Sequence, residues 1–297
     1  MKLREHWFIA AFGVAVPLAL FGLFVGYPIC YNVVLSFMKW NGLAPRLQPV
    51  GISNYAMLAN AFVFWMALFN TIKWLIGTVL LANVFGLLFA AVLQPRQVYL
   101  STLFRSLTFL PVTMSLVSVG IMFAFILDPN FGIVSHAMRA LGLHSAGPEL
   151  LGDPRIAIYS LIAVFGWSYV AVPMMIYHAG ISQISPELYE AAWIEGAGRS
   201  QIFRYVTIPS LRSVLVVVTI YSVIQGFRNF DLIATVTSGG PGNATSVLGF
   251  YMYILAFEER FFGPGAAVST LILVLSLLFV VTYLRRVGHN TLYASET

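Results

Sequence analysis

A few polar side chains of this chain lie inside long apolar runs, and those are the residues whose types and spacing can do chemistry. The run 213–235 contains Gln225, Arg228, Asn229 and Asp231. An ionisable group at bilayer depth is costly and faces a cavity or a partner. Gln225 and Arg228 are three residues apart, as are Arg228 and Asp231, so on a continuous helix each pair shares a face. Two readings stand side by side for the charged pair. One is an internal Arg228–Asp231 ion pair that locks helix packing or an outer gate; the other is a wall of a binding cavity. The amides of Gln225 and Asn229 favour the second, because an amide both donates to and accepts from hydroxyl groups. The run 156–179 adds Trp167, Ser168 and Tyr169, an aromatic face able to stack on a sugar ring, although packing on lipid or a neighbouring helix is the stronger reading for any single one of them. Thr113, Ser115 and Ser118 are read as bonding backbone or neighbouring helices. Asn83 is read as bonding another helix, and His178 as an interfacial residue. No His, Cys or carboxylate cluster has metal-ligand spacing, and the single cysteine, Cys30, is expected to be inert and buried.

These residues must be positioned by apolar helices. The 297 residues are 59% hydrophobic and only 9% charged, against about 25% charged in a soluble domain. Such a chain cannot cover a surface in water, so its solvent is the bilayer. A span needs ~20 apolar residues. Six segments qualify: about 8–36, 74–93, 103–127, 156–179, 213–235 and 266–284. Pro17 and Pro28 are expected to kink the first or end it early. The run from Trp7 to Ile29 is too long for a signal h-region and reads as a retained span. Trp65 and Trp74 are expected at headgroup level. The fold class is an all-α membrane protein, a single domain over 1–297. The net charge of +5 is then a question of membrane sidedness, not of nucleic acid, which is not expected as a partner. Lys2, Arg4, Arg96, Arg105, Arg199, Arg204, Arg212, Arg285 and Arg286 flank one side. Lys39, Arg46, Lys73, Arg139, Arg155 and Arg260 flank the other, diluted by acids including Asp128, Glu149 and Asp153. The excess of cations places both termini and the 183–212 loop in the cytoplasm.

That loop has its own design. Ser185 caps, Pro186 fits the first helical position, and Glu187 favours the positive end of the helix dipole. The helix is expected to run to about Glu195, where Gly196 and Gly198 break it. A second helix, 199–207, is expected to stop at Pro209. The elbow presents the small residues Ala191, Ala192, Gly196 and Ala197, with Leu188 and Trp193 as apolar anchors, which suits docking of a second protein.

The pattern Glu190-Ala-Ala, three residues, Gly196, nine residues, Val206-Thr-Ile208-Pro209 resembles the EAA coupling loop of binding-protein-dependent ABC importer permeases. The family pattern ends I-x-L-P, so Val206 and Ile208 depart from it while staying apolar, and Glu195 stands where many relatives have Asp. The stretch Phe230-Asp-Leu-Ile-Ala-Thr-Val-Thr-Ser-Gly-Gly-Pro241 resembles the first of two unlike permeases in sugar importers of the maltose and glycerol-phosphate group.

The resemblance implies a type I ABC importer permease with a cytoplasmic coupling helix between spans four and five. It implies that Glu190, Ala191, Ala192, Gly196, Ala197 and Gly198 contact an ATPase. It places Trp167, Tyr169, Gln225, Arg228, Asn229 and Asp231 on the solute path. The chain has no GxxxxGK[ST] phosphate loop, so it is not itself an enzyme and needs no cofactor of its own. ATP and Mg belong to a pair of ATPase subunits. The other implied partners are a second permease and an extracytoplasmic solute-binding protein, all at a bacterial inner membrane. An anionic or phosphorylated solute, or a polyol, stays open through Arg228. The alternative of a different class is an ion-coupled secondary carrier with Asp231 as the ion group; the elbow argues against it.

Overall fold

The computed structural model describes residues 13–43, 45–93, 101–141 and 150–292. Lys2, Arg4, Arg96 and Glu149, used above for orientation, lie outside the described residues. In chain order the helices begin with α1 (Gly13–Leu35), α2 (Ser53–Asn60), α3 (Phe62–Val92), α4 (Ser101–Phe109), α5 (Leu116–Ile126) and α6 (Ile133–Ala140). They continue with α7 (Ala157–Tyr169), α8 (Ala171–Ser182), α9 (Pro186–Ile194), α10 (Arg199–Ser210), α11 (Arg212–Arg228), α12 (Asp231–Val236), α13 (Leu248–Glu258) and α14 (Phe262–Leu292). Among the described residues the sheet is a hairpin of β1 (Met38–Lys39) and β2 (Gln48–Pro49), antiparallel. Helices α1, α3 and most of α14 are long and apolar enough to cross a membrane singly. Three further spans are broken pairs: α4 with α5, α7 with α8, and α10 with α11.

The prolines do less than expected to end helices. α1 runs through Pro28 because a π-turn, Gly22–Gly26, widens the helix just before it. α10 runs through Pro209 in the same way, after a π-turn at Phe203–Thr207. A wide turn makes room for the ring and leaves the missing N–H without a carbonyl to satisfy. α10 stops instead at Leu211, where the chain bends by 70° into α11.

The described residues group into two compact units, one drawn from 13–64 and 251–273, the other from 65–250 and 274–292. In the first, side-chain amides bind backbone carbonyls. Asn54 Nδ2 donates to the carbonyls of Ser36 and Met38 at 2.8 and 2.9 Å. Asn32 donates to Thr270 Oγ1 at 3.3 Å. α1 has no buried side chain from Gly13 to Val34, and Cys30 is exposed rather than buried. In lipid the outer face of a helix is as apolar as a core, so hydropathy alone cannot tell the two apart.

The second unit holds the remaining spans together. Asn83 on α3 accepts a hydrogen bond from the Tyr177 hydroxyl of α8 and donates to Thr219 Oγ1 of α11 at 3.4 Å. Backbones approach closely where glycines lie: a Cβ added at Gly77 would sit 2.6 Å from Ile162, and one at Gly226 would sit 2.7 Å from Leu75. α3 begins twelve residues before the expected span, because Asn70 and Thr71 are buried and bonded rather than loop-exposed. Asn70 Nδ2 donates to the carbonyls of Asn243 and Ser246 at 3.1 Å each, and Thr71 Oγ1 accepts from Leu248 N at 2.9 Å. These bonds staple the Gly-Gly-Pro loop to α3. Trp74 corrects another expectation: it is fully buried, not at headgroup level, and packs on Phe165 with ring centres 5.5 Å apart.

Candidate functional site

Three breaks in the spans meet at one place. α4 and α5 are bent by 99° across Met114–Ser115, and α7 and α8 by 49° at Val170. α11 ends at Arg228, and the extended Asn229 leads through Phe230 into α12. Residues from all three breaks line a cavity of about 260 Å³. Pro111, Val112 and Met114 come from the first, Phe165, Ser168 and Tyr169 from the second, and Tyr221, Gln225, Arg228, Asn229 and Asp231 from the third. Non-helical backbone at membrane depth is tolerated where it lines a cavity, and broken helices at the midplane are a common way to build a transport site.

The cavity has an aromatic side and a polar side. Phe165 stacks on Tyr169 at 5.0 Å and 14°, and Tyr169 on Tyr221 at 5.8 Å and 17°. On the polar side Asn229 is 2% exposed, and neither its Oδ1 nor its Nδ2 has a hydrogen-bond partner among the described residues. A buried polar group left unsatisfied costs about 1–3 kcal/mol. The Tyr169 hydroxyl likewise makes no hydrogen bond. Ser222 beside it donates instead to the Val218 carbonyl at 2.7 Å.

Arg228 and Asp231 do not pair. Arg228 donates to Gln225 Oε1 at 3.4 Å, and Gln225 donates to the Tyr221 hydroxyl at 3.3 Å. The Asp231 carboxylate has no partner among the described residues. The ion-pair reading, one of the two left open, needed a continuous helix, and the break at Asn229–Phe230 removes the shared face. Both side chains still line the cavity.

Trp167 does not line it. The ring is 44% exposed and meets Phe123 edge-on at 5.2 Å. At 100° per residue, the cavity face of α7 and the start of α8 is Phe165, Ser168, Tyr169 and Val172, and Trp167 points elsewhere. Phe165 and Tyr221 were missed from the sequence, though a signal existed. Tyr221, Gln225 and Arg228 fall at i, i+4 and i+7, one helical face. The turn Leu110–Thr113 also lines a second groove with Arg105, whose guanidinium donates to His178 Nε2 at 2.8 Å.

The elbow is built differently, by backbone closure. Ser185 holds the N-cap position, but its side chain makes no capping bond; the Leu188 N–H takes the Ser185 carbonyl instead, at 3.2 Å. The other end is a Schellman motif. Gly196 has φ +80°, its N–H bonds the Trp193 carbonyl at 3.0 Å, and Ala197 N–H bonds the Ala192 carbonyl at 2.9 Å. Only glycine takes that φ without strain. Gly198 N–H then donates to Gln201 Oε1 at 2.7 Å, which starts α10. The Tyr189 hydroxyl meets Thr207 Oγ1 at 3.3 Å and fixes α9 against α10. Glu190, Ala191, Gly196 and Gly198 are exposed, and Ala192 and Ala197 half-buried. Beside them Trp193 is 60% exposed and Ile194 87%.

Residues 82–287 match the family described as binding-protein-dependent transport system inner membrane component. The chain belongs to that family. The match to this family of transport components takes in both the cavity and the elbow. The chain is 35% identical over 263 residues to the probable ABC transporter permease YurN of Bacillus subtilis, covering 88% of this chain and 90% of YurN. It is 34% identical over 272 residues to the lactose transport system permease LacF of Rhizobium radiobacter, covering 90% and 89% of the two chains. The all-α fold is that of an importer permease. A chain of a bacterial ABC transporter that imports the acidic polysaccharide alginate superposes with a TM-score of 0.83 at 21% identity, covering 98% of each chain. This family member is a multi-pass membrane protein.

Proposed function

We propose that the chain is one of two unlike permeases of an ATP-driven importer and carries a carbohydrate through the cavity at the three helix breaks. The observation that carries this reading is the cavity itself: stacked aromatic rings opposite a buried, unpartnered Asn229. A sugar ring has an apolar face to lay on Phe165, Tyr169 or Tyr221 and hydroxyls for the amides. The sugar systems named for relatives point the same way. They include LacF and the trehalose/maltose permease MalF of Thermococcus litoralis, 30% identical over 266 residues.

The elbow docks a separate ATPase at the cytoplasmic face. Its backbone is closed, so it moves as a rigid body, while Trp193 and Ile194 offer apolar surface to the partner. Closure of an ATPase pair swings the elbow, and the bends at Leu211 and Asn229 are where that motion reaches the cavity. ATP and Mg belong to the ATPase, and this chain contributes no catalytic residue. An external binding protein delivers the solute, as supported by the structural relative solved in complex with a periplasmic protein carrying an alginate pentasaccharide. Both termini then lie in the cytoplasm. The test is uptake by proteoliposomes of the complete transporter. Sugar accumulates only when ATP and the binding protein are both supplied; accumulation driven by an ion gradient without ATP would overturn the reading.

A further inference from the structure

We infer that the cavity is charge-balanced and selects an uncharged sugar over an acidic or an amino sugar. This rests on the carbohydrate reading above. Arg228 and Asp231 line the same cavity, yet neither is spent on the other. The other lining residues with polar side chains are Ser168, Tyr169, Tyr221, Gln225 and Asn229, all neutral. The formal charges of the wall therefore cancel.

An anionic solute gains from Arg228 but brings its carboxylate or phosphate towards Asp231. An amino sugar gains from Asp231 and meets Arg228. Of these sugars, the neutral one uses both, because each hydroxyl can accept from a guanidinium and donate to a carboxylate. The wall offers donors and acceptors in both charged and neutral form, which matches a molecule whose every polar group does both. Asn229 adds one of each at a point 2% exposed. Arg228 and Asp231 are both exposed, so water weakens each charge contact but keeps its sign, and that sign separates solutes of equal size. The alginate importer shares this fold but carries an acidic cargo. The distinction drawn here therefore lies in these side chains and not in the architecture.

The experiment uses the complete detergent-solubilised transporter without binding protein, so that delivery does not filter the probes. Three radiolabelled probes are compared by equilibrium binding: methyl glucoside, glucuronate and glucosamine. The wild type binds methyl glucoside tightest. Asp231→Asn raises glucuronate relative to methyl glucoside by about tenfold, and Arg228→Gln raises glucosamine by a similar factor, the effect of one charge-assisted hydrogen bond. Both changes keep a polar side chain on the cavity wall, and an unchanged melting temperature reports that the fold survives. A wild type that prefers glucuronate or glucosamine overturns the charge balance while leaving carbohydrate recognition intact. So do variants whose preferences do not move. Failure of all three probes to bind the wild type overturns this inference, while the carbohydrate reading is decided separately by ATP-dependent sugar uptake with the binding protein present.

Discussion

The cavity and the elbow are both built where helices break, and they leave opposite things unsatisfied. At the elbow the glycine turn between the two helices is closed by backbone bonds. The Schellman bonds at Ala192 and Trp193 and the Gln201 side chain take up the orphan groups, and what remains open is apolar surface. At the cavity the backbone break is left to line a hollow, and what remains open is polar: Asn229, Tyr169, Arg228 and Asp231. On the function proposed above, a protein partner completes the first kind of surface by supplying apolar area, and a hydroxyl-bearing solute completes the second by supplying hydrogen bonds. One chain thus carries two incomplete sites whose missing chemistry differs.

Gly196→Pro should break the comparison most severely. It forbids φ +80° and removes the N–H that bonds Trp193. ATP-driven uptake should fall to background while methyl glucoside binding to the solubilised transporter stays within about twofold of wild type. Loss of both together would mean the elbow and cavity are not separable. Asn229→Leu should do the reverse: uptake and binding are lost. Thermal stability holds or rises by about 1–3 kcal/mol, because no protein partner is forfeited. Asn83→Leu is its control. That amide is fully engaged by Tyr177, Val79 and Thr219, so stability should fall by roughly 1–3 kcal/mol. Calorimetry of the two leucine variants reads the contrast directly. Tyr169→Phe removes one unbonded hydroxyl and should weaken sugar binding by about 0.5–1.5 kcal/mol with no change in melting temperature. The smallest effect is Trp167→Ala, which loses an edge contact with Phe123 worth about 0.5–1.5 kcal/mol of stability and leaves the uptake KM unchanged.

Much of this contrast was legible in the residues, for physical reasons that also mark where it was not. The elbow is local: proline, glycine and alanine positions set caps and turns within a dozen residues, so Gly196 and its neighbours could be read directly. Even there, the stop at Pro209 failed, because the π-turn before it depends on how the chain packs and leaves no mark in composition. The spans were visible as apolar runs, but their bends at Met114, Val170 and Asn229 were not. Hydropathy averages over a break without noticing it. That is why Gln225, Arg228, Asn229 and Asp231 were found as polar exceptions, while the Arg228–Asp231 pair, which assumed an unbroken helix, did not form. Phe165 and Tyr221 look like any apolar-run aromatic until the helical faces are counted. Trp74 is buried and Trp167 half exposed for the same reason: which side of a membrane helix faces protein is decided by neighbours far along the chain.

The central claim is most directly tested by ATP-dependent accumulation of labelled lactose, maltose and trehalose in proteoliposomes of the complete transporter, wild type against Asn229→Leu. At least one sugar should accumulate with the wild type and none with the variant, whose ATPase activity persists. Undiminished accumulation by Asn229→Leu would contradict the cavity as the solute site.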